Sequence, residues 1–288
     1  MPIPLVIRNM LRPELDELVS WAAREGWNPG LHDAELFWLN DPEAYIAADL
    51  DGELIGGGAI TSYAGEFGFM GFFIIRPEFR GRGLGDILWH ARRDRLLARL
   101  HPGAVIGMDG VFAMQDYYAK GGFVFSHRNL RFRTEVAEPP EWAPDEEILP
   151  LADFKLEEVL AYDRLCFPAP RPRFLQDWIA QPDALALGCR RNGRLAGFGV
   201  VRRCQQGCKI GPLFANDTNA AEALYAQLAG FAIDGPLFLD APENNPDAMA
   251  LVQRHGMEEV FGCARMYLGP LPSVAQDRVF GVTTFELG

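Results

Sequence analysis

A short apolar run, Phe72-Phe73-Ile74-Ile75, leads through Arg76-Pro77 into Arg80-Gly81-Arg82-Gly83-Leu84-Gly85-Asp86. From there Leu84, Ile87, Leu88, Ala91 and Ala98 recur on one helical face. Strand, glycine-rich turn and helix start, in that order, form an arrangement that holds a phosphate. The first backbone N–H groups of a helix have no intrahelical partner, and the dipole there is positive. Glycines at 81, 83 and 85 let the backbone approach closely with no Cβ in the way. Arg80 and Arg82 add charge-assisted donors. The loop is not a Walker P-loop, because no Gly-Lys-Ser/Thr follows. It is not the dinucleotide fingerprint either, whose glycines are spaced G-x-G-x-x-G.

The chain has 288 residues, 49% of them hydrophobic, enough for a full core. At roughly 100–200 residues per domain, two domains are expected. No run of about 18 uncharged apolar residues occurs, so no membrane span is expected. Met1-Pro2-Ile3-Pro4 lacks the basic and apolar regions of a signal peptide. The five cysteines are odd in number and form no disulfide framework, and Cys204-x-x-x-Cys208 has no partner pair or histidine cluster at zinc spacing. All five are therefore read as reduced thiols of a cytoplasmic protein with no metal. The net charge of −12 argues against nucleic acid as a partner. The arginines cluster around residues 76–99, where an anionic cofactor would want them. The assembly is expected to be a monomer or a homodimer.

Turn chemistry and periodicity divide the chain further. Residues 5–8 read as a strand, and a helix bearing Leu15, Leu18, Val19 and Ala22 ends near Gly26. A second short helix is expected over 33–39. Strands over 45–50 and 54–63 flank the hairpin signal Asp51-Gly52. Further strands are expected over 67–75, 105–108 and 123–132, with a helix over 114–120 that stops at Gly121-Gly122. The acidic, proline-bearing stretch 135–147 reads as an exposed linker. The pattern then repeats. Asp51-Gly52-Glu53-Leu54-Ile55-Gly56 is echoed by Asn192-Gly193-Arg194-Leu195-Ala196-Gly197. In the second half the counterpart of the phosphate turn is Gly211-Pro212-Leu213-Phe214-Ala215-Asn216-Asp217-Thr218, a helix start capped by Asn216, Asp217 or Thr218, without glycine alternation and without arginine. The expected organisation is a loaded domain over 1–135, a linker over 136–147 and a degenerate copy over 148–288.

Arg80, Gly83 and Gly85 match the Arg/Gln-x-x-Gly-x-Gly/Ala signature, and on that basis the chain resembles the GCN5-related N-acetyltransferases (GNAT superfamily). The family's loop holds the pyrophosphate of acetyl-coenzyme A. The whole chain is similar to a tandem, YitH-like subfamily in which a catalytic domain precedes a degenerate copy. That likeness rests on Trp27-Asn28-Pro29-Gly30 with Asp33, on Arg265-Met266-Tyr267 and on the tail Gly281-Val282-Thr283-Thr284-Phe285-Glu286-Leu287-Gly288. The resemblance implies an α/β (α+β mixed-sheet) class: tandem folds, each a mostly antiparallel twisted sheet flanked by helices and splayed between its fourth and fifth strands.

The resemblance also implies roles for individual residues. Backbone groups of Phe73, Ile74 and Ile75 bind the pantetheine arm and the thioester carbonyl, where an N–H stabilises an oxyanion. Arg80, Gly81, Arg82, Gly83, Leu84, Gly85 and Asp86 seat the pyrophosphate. Tyr118 occupies the tyrosine position of the family's Tyr-x-Lys-x-Gly-Phe segment, as a general acid toward the departing thiolate, as a group that only positions the sulfur, or as a core tyrosine. The family often has an asparagine seven residues earlier, where this chain has Val111; the second half reverses the pattern, with Asn245 and Val252. Trp27, Asn28 and Asp33 fall on the acceptor-side loop, and Trp27 can pack on an aliphatic or cationic acceptor. Glu25, Asp33, Glu66 and Asp109 are candidate bases, with Glu66 preferred. Asp163, Arg171, Arg173 and Trp178 are candidates to line a cleft between the halves. The implied activity is transfer of an acetyl group from acetyl-coenzyme A to a small primary amine. A regulatory module that binds acetyl-coenzyme A without turnover, and acetylation of a protein amine, are the alternatives.

Overall fold

The computed structural model describes residues 5–138, 140, 146–233 and 235–288. Half of the acidic stretch expected as a linker over 136–147, and the four N-terminal residues, lie outside the described residues. The first half runs β1 (Leu5–Asn9), α1 (Arg12–Arg24), α2 (Asp33–Asn40), β2 (Tyr45–Leu50), β3 (Glu53–Tyr63), β4 (Phe67–Ile75), α3 (Leu84–Ala98), β5 (Val105–Val111), α4 (Gln115–Lys120) and β6 (Val124–Val136). The second half runs β7 (Glu147–Pro150), α5 (Leu156–Cys166), α6 (Pro172–Ile179), β8 (Ala184–Arg191), β9 (Arg194–Arg203), β10 (Cys208–Ala215), α7 (Thr218–Ala229), β11 (Gly235–Pro242), α8 (Pro246–Arg254), β12 (Glu258–Leu268) and β13 (Val279–Gly281). The two echoed dipeptides are both left-handed hairpin turns. Asp51 and Gly52 have φ of 59° and 80°, and Asn192 and Gly193 have φ of 52° and 72°.

The thirteen strands among the described residues belong to one sheet, in the order β1-β2-β3-β4-β5-β12-β6-β11-β10-β9-β8-β7, with β13 added against β10. The halves exchange strands. β12 of the second half lies between β5 and β6 of the first, and β6 lies between β12 and β11 of the second. This exchange explains why two strands outrun their sequence signals. β5 continues to Val111 because Cys263–Leu268 pairs with it, and β6 continues to Val136 because Gly235–Pro242 pairs with it. Two pairings are parallel, β4 with β5 and β10 with β11, and they stand at corresponding places in the two halves.

Buried ion pairs stitch the seam. Asp109 of β5 receives Nε (2.8 Å) and Nη2 (2.6 Å) of Arg265 on β12. Asp240 of β11 receives Nε (2.6 Å) and Nη2 (2.7 Å) of Arg131 on β6. Asp33 of α2 receives Nε (2.9 Å) and Nη2 (3.1 Å) of Arg202 on β9. Above them Phe37 of α2 stacks on Trp178 of α6, with ring centroids 6.1 Å apart. Removing one partner of such a pair strands an uncompensated buried charge, so each locks the relative placement of the halves.

Candidate active site

The site begins where β4 and β5 part. Their last paired residues are Met70 and Met108, so 71–75 have no partner on the β5 side. On the β3 side the register jumps. Gly71 pairs with Ala59 and Ile74 with Gly57, leaving Phe72 and Phe73 opposite Gly58 alone. This is a β-bulge, and Phe72 sits at φ 51°, a left-handed conformation a phenylalanine rarely adopts. A bulge and a splay together free main-chain N–H and C=O groups of 72–75 for a ligand. The cleft between the parted strands encloses about 1060 Å³ of empty space, open solvent included. Phe73, Ile74 and Ile75 line it.

The glycine turn closes one end of that cleft. Gly81 and Gly83 have φ of 73° and 75°, and Gly83 is the N-cap of α3, with no side chain to cap it. The first amides of α3 are therefore free to receive an anion. Arg80, Gly81, Gly85 and Asp86 line the cleft, whereas Arg82 is exposed beside Phe79. The Arg80 guanidinium donates to the Ile75 carbonyl at 2.7 Å and also pairs with Glu25. The Asp86 carboxylate accepts from the hydroxyl of Tyr117, which also lines the cleft, at 2.7 Å.

Tyr118 stands at the inner end. It is 4% exposed, and burial pushes its phenol up to about 12, with Arg92 opposing. Tyr118, Trp27, Phe73 and Val111 line both the outer cleft and a small inner cavity of about 50 Å³ behind it. The inner cavity is walled partly by the second half, through Phe261 and Cys263 of β12 and Phe285 and Glu286 of the tail. Arg92 of α3 enters from the other side. Its Nη2 donates to the carbonyls of Ala59 and Gly71 at 2.6 Å each, and burial pushes its pKa down to about 10.

Not every sequence candidate joins this constellation. Glu66 is exposed on the turn before β4, at the opposite end of that strand from the bulge, and lines neither space. Its position before a cleft strand was the only reason to prefer it, and strand length carries it away. Asn28 is buried in a reciprocal clasp with the turn after β9, donating to the Gln206 carbonyl and accepting from the Gln206 amide, both at 2.9 Å. Asp33 is fully committed to Arg202 and to the Gly30 amide at 2.7 Å; burial opposes its ionised form, but Arg202 and Lys209 hold its carboxyl below the usual range. Both residues build the seam and leave Trp27 alone of its loop to face the site. Asp109 does line the inner cavity, yet Arg265 and Asn129 take its oxygens. Arg171 and Asp163 form a buried pair at 2.9 and 2.7 Å, Trp178 is core, Arg173 is exposed, and none lines either space. The inner-wall residues Phe261, Phe285 and Glu286 had no local cue, because they reach the site through an exchanged strand and a returning tail.

The corresponding place in the second half is closed. Asp217 caps α7, accepting from the Ala220 amide at 3.1 Å and pairing with Arg191, whose hydrogen bonds pull its carboxyl down. Past the last β10–β11 pair, Ile210 with Leu239, the strand β13 lies along β10, Leu213 against Gly281 and Phe214 against Val279. Asn245 caps α8 and donates to the carbonyls of Asp277 and Val279, tying that strand down. The chain thus fills its own second splay.

Comparison with known proteins agrees with this geometry. A GNAT acetyltransferase family model matches residues 12–123, and a second GNAT domain model matches 159–281. The chain belongs to the GCN5-related N-acetyltransferases, as a tandem member. It is 26% identical over 275 residues to holothin acyltransferase of Pseudoalteromonas sp. (strain SANK 73390), covering 93% of this chain and 90% of that protein. A crystal structure from Pyrococcus horikoshii superposes with a TM-score of 0.83 at 22% identity, covering 99% of this chain and 96% of the other. A tandem GNAT protein of the clavulanic acid biosynthesis pathway superposes with a TM-score of 0.64 at 13% identity, covering 93% of this chain and all of that one (100%). These likenesses establish an acyltransferase family and a tandem GNAT fold.

Proposed function

We propose that this GNAT protein moves an acetyl group from acetyl-coenzyme A directly to a primary amine of a small molecule, in the cleft of its first half. One observation carries the reading. The bare N-terminus of α3 and Tyr118 line the same opening between β4 and β5, so an elongated phosphate-bearing thioester spans them. The co-substrate supplies an activated carbonyl and a thiolate leaving group. The amides from Gly83 onward receive its pyrophosphate, and the backbone of Phe73, Ile74 and Ile75, on the side that β5 leaves, receives its pantetheine arm and polarises the carbonyl. Tyr118 keeps its proton at neutral pH, because burial disfavours the phenolate, and gives it to the departing sulfur. The inner cavity, closed by both halves, favours a small acceptor over a protein surface.

A free-thiol release assay against a panel of small amines tests this. Tyr118→Phe is expected to lower kcat by about 10²-fold or more with acetyl-coenzyme A affinity unchanged, as loss of a general acid does. An unchanged kcat removes the acid role, and no thiol release by the wild type with any amine removes the transferase.

A further inference from the structure

The inner cavity holds one carboxylate that nothing in the fold consumes. Glu286 is 4% exposed, and its Oε2 is buried without a hydrogen-bond partner. Leaving a buried carboxylate oxygen unpaired is costly, so such a group calls for a ligand. The tail around it is held firmly. The Thr284 hydroxyl accepts from the amides of Glu286 (2.9 Å) and Leu287 (3.1 Å), and the Tyr63 hydroxyl donates to the Leu287 carbonyl at 2.8 Å. Arg171 donates to the Thr283 hydroxyl at 2.8 Å. The tail also crosses β4 so closely that a Cβ on Gly71 would lie 1.9 Å from the Glu286 carbonyl oxygen. Glu286 is therefore fixed beside the bulge.

Two of the cations around it are paired elsewhere, although Arg202 Nη1 has no hydrogen-bond partner among the described residues. Arg131 of β6 and Arg202 of β9 bear on Glu286, but each is bidentate to its own aspartate. Lys209 of β10 also bears on it, donates to the Asn28 carbonyl at 2.9 Å, and makes no ion pair among the described residues. With Asp33 and Asp240 counted, the formal charges of the cluster cancel. Cys263 of β12 faces Glu286 as a thiol that burial holds protonated. Asp109 of β5, Arg92 of α3 and Tyr118 of α4 share the cavity. The remaining wall is apolar, made by Met70, Phe72, Phe261 and Phe285.

The geometry points to Glu286 as the anchor and base for the acceptor, and to an acceptor that carries a single ammonium on an apolar body. This deepens the acetyl-transfer reading and rests on it. The carboxylate binds the ammonium and takes one proton, which frees the nitrogen lone pair. A carbon–nitrogen bond forms at the carbonyl and the carbon–sulfur bond breaks. Of the two protons that leave the nitrogen, one ends on the thiol by way of Tyr118 and one passes through Glu286 to solvent. A second cation meets no further unpaired carboxylate in the cavity wall, and an acidic acceptor is repelled by Glu286.

The test uses 2-phenylethylamine and tryptamine against spermidine and lysine, read as thiol release, with acetyl-coenzyme A binding measured by calorimetry. The wild type should favour the two apolar amines by at least about tenfold in kcat/KM. Glu286→Gln should lower their kcat/KM by about 10²-fold with coenzyme affinity unchanged, and the deficit should shrink as pH rises toward the amine's own pKa, where solution supplies the free base. A merely structural Glu286 would lower melting temperature and activity alike at every pH. In the wild type, 2-phenylethanol, the same body without the cation, should compete with 2-phenylethylamine at least about tenfold more weakly than tryptamine does; this reading stands even where Glu286→Gln fails to fold. Unchanged kcat/KM in Glu286→Gln, or equal competition by the alcohol, overturns the anchor. Preference for spermidine or lysine overturns the acceptor class. Inactivity of the wild type toward all four amines despite coenzyme binding overturns the acceptor class, and the transfer reading itself fails if no amine of the wider panel releases thiol.

Discussion

The two halves build the same strand, turn and helix, and only one leaves it open. In the first, Gly83 enters α3 with no capping side chain, and β4 parts from β5 with nothing between them. In the second, the Asp217 carboxylate already satisfies the amides of α7, and β13 occupies the side of β10 that β11 leaves. A helix N-terminus binds an external anion only if the chain does not supply an internal one. The second half fills this place with its own residues, and the tail that follows β13 goes on to wall the inner cavity of the first.

Interchanging the features of the halves should break this asymmetry by graded amounts. The largest effect falls on catalysis. Tyr118→Phe should reduce kcat by about 10²-fold or more, whereas Val252→Tyr, at the matching place in the second half, should leave turnover unchanged. An undiminished kcat in Tyr118→Phe, or a second acetyl-coenzyme A site gained in Val252→Tyr, would break the asymmetry. Next comes the scaffold. Arg171→Met strands the buried Asp163 and releases the tail from Thr283, so unfolding by urea should show a loss of about 4 kcal/mol.

His127 sharpens the seam. Burial, helped by Arg265, pushes its pKa down to about 4 from 6.5. The unfolded chain then binds the extra proton first, so stability is full above about pH 6.5 and is lost as pH falls toward 4. By pH 4.5 the loss should approach about 2 kcal/mol, and His127→Gln should remove that part of the acid sensitivity. The smallest effect is at the occupied helix. Asp217→Ala should cost about 1 kcal/mol of stability through loss of the cap, with acetyl-coenzyme A affinity of the first half untouched.

The parts of the site legible in the sequence were those with local signals. The strand Phe67–Ile75, the glycine alternation and the helix after it are contiguous, and turn chemistry marks each boundary. Tyr118 was legible through its segment. The strand exchange was not, because pairing Arg265 with Asp109 across 156 positions leaves no trace in either segment alone. The bulge was not, because a phenylalanine at positive φ carries no sequence cue. Asn28 and Asp33 read as acceptor residues because the resemblance puts them on the family's acceptor-side loop; their partners, Gln206 and Arg202, are remote in sequence and turn them into seam. Glu286 read as the end of a tail, and only its return past Gly71 gives it a place in the site.

The central claim is one loaded cleft per chain. Calorimetric titration of the purified protein with acetyl-coenzyme A measures it directly. The expected result is one site per chain, lost in Gly83→Glu, which places a carboxylate at the left-handed N-cap of α3 as Asp217 does at α7. Two sites, or one site that survives Gly83→Glu in a folded protein, would contradict the assignment of the cleft to the first half.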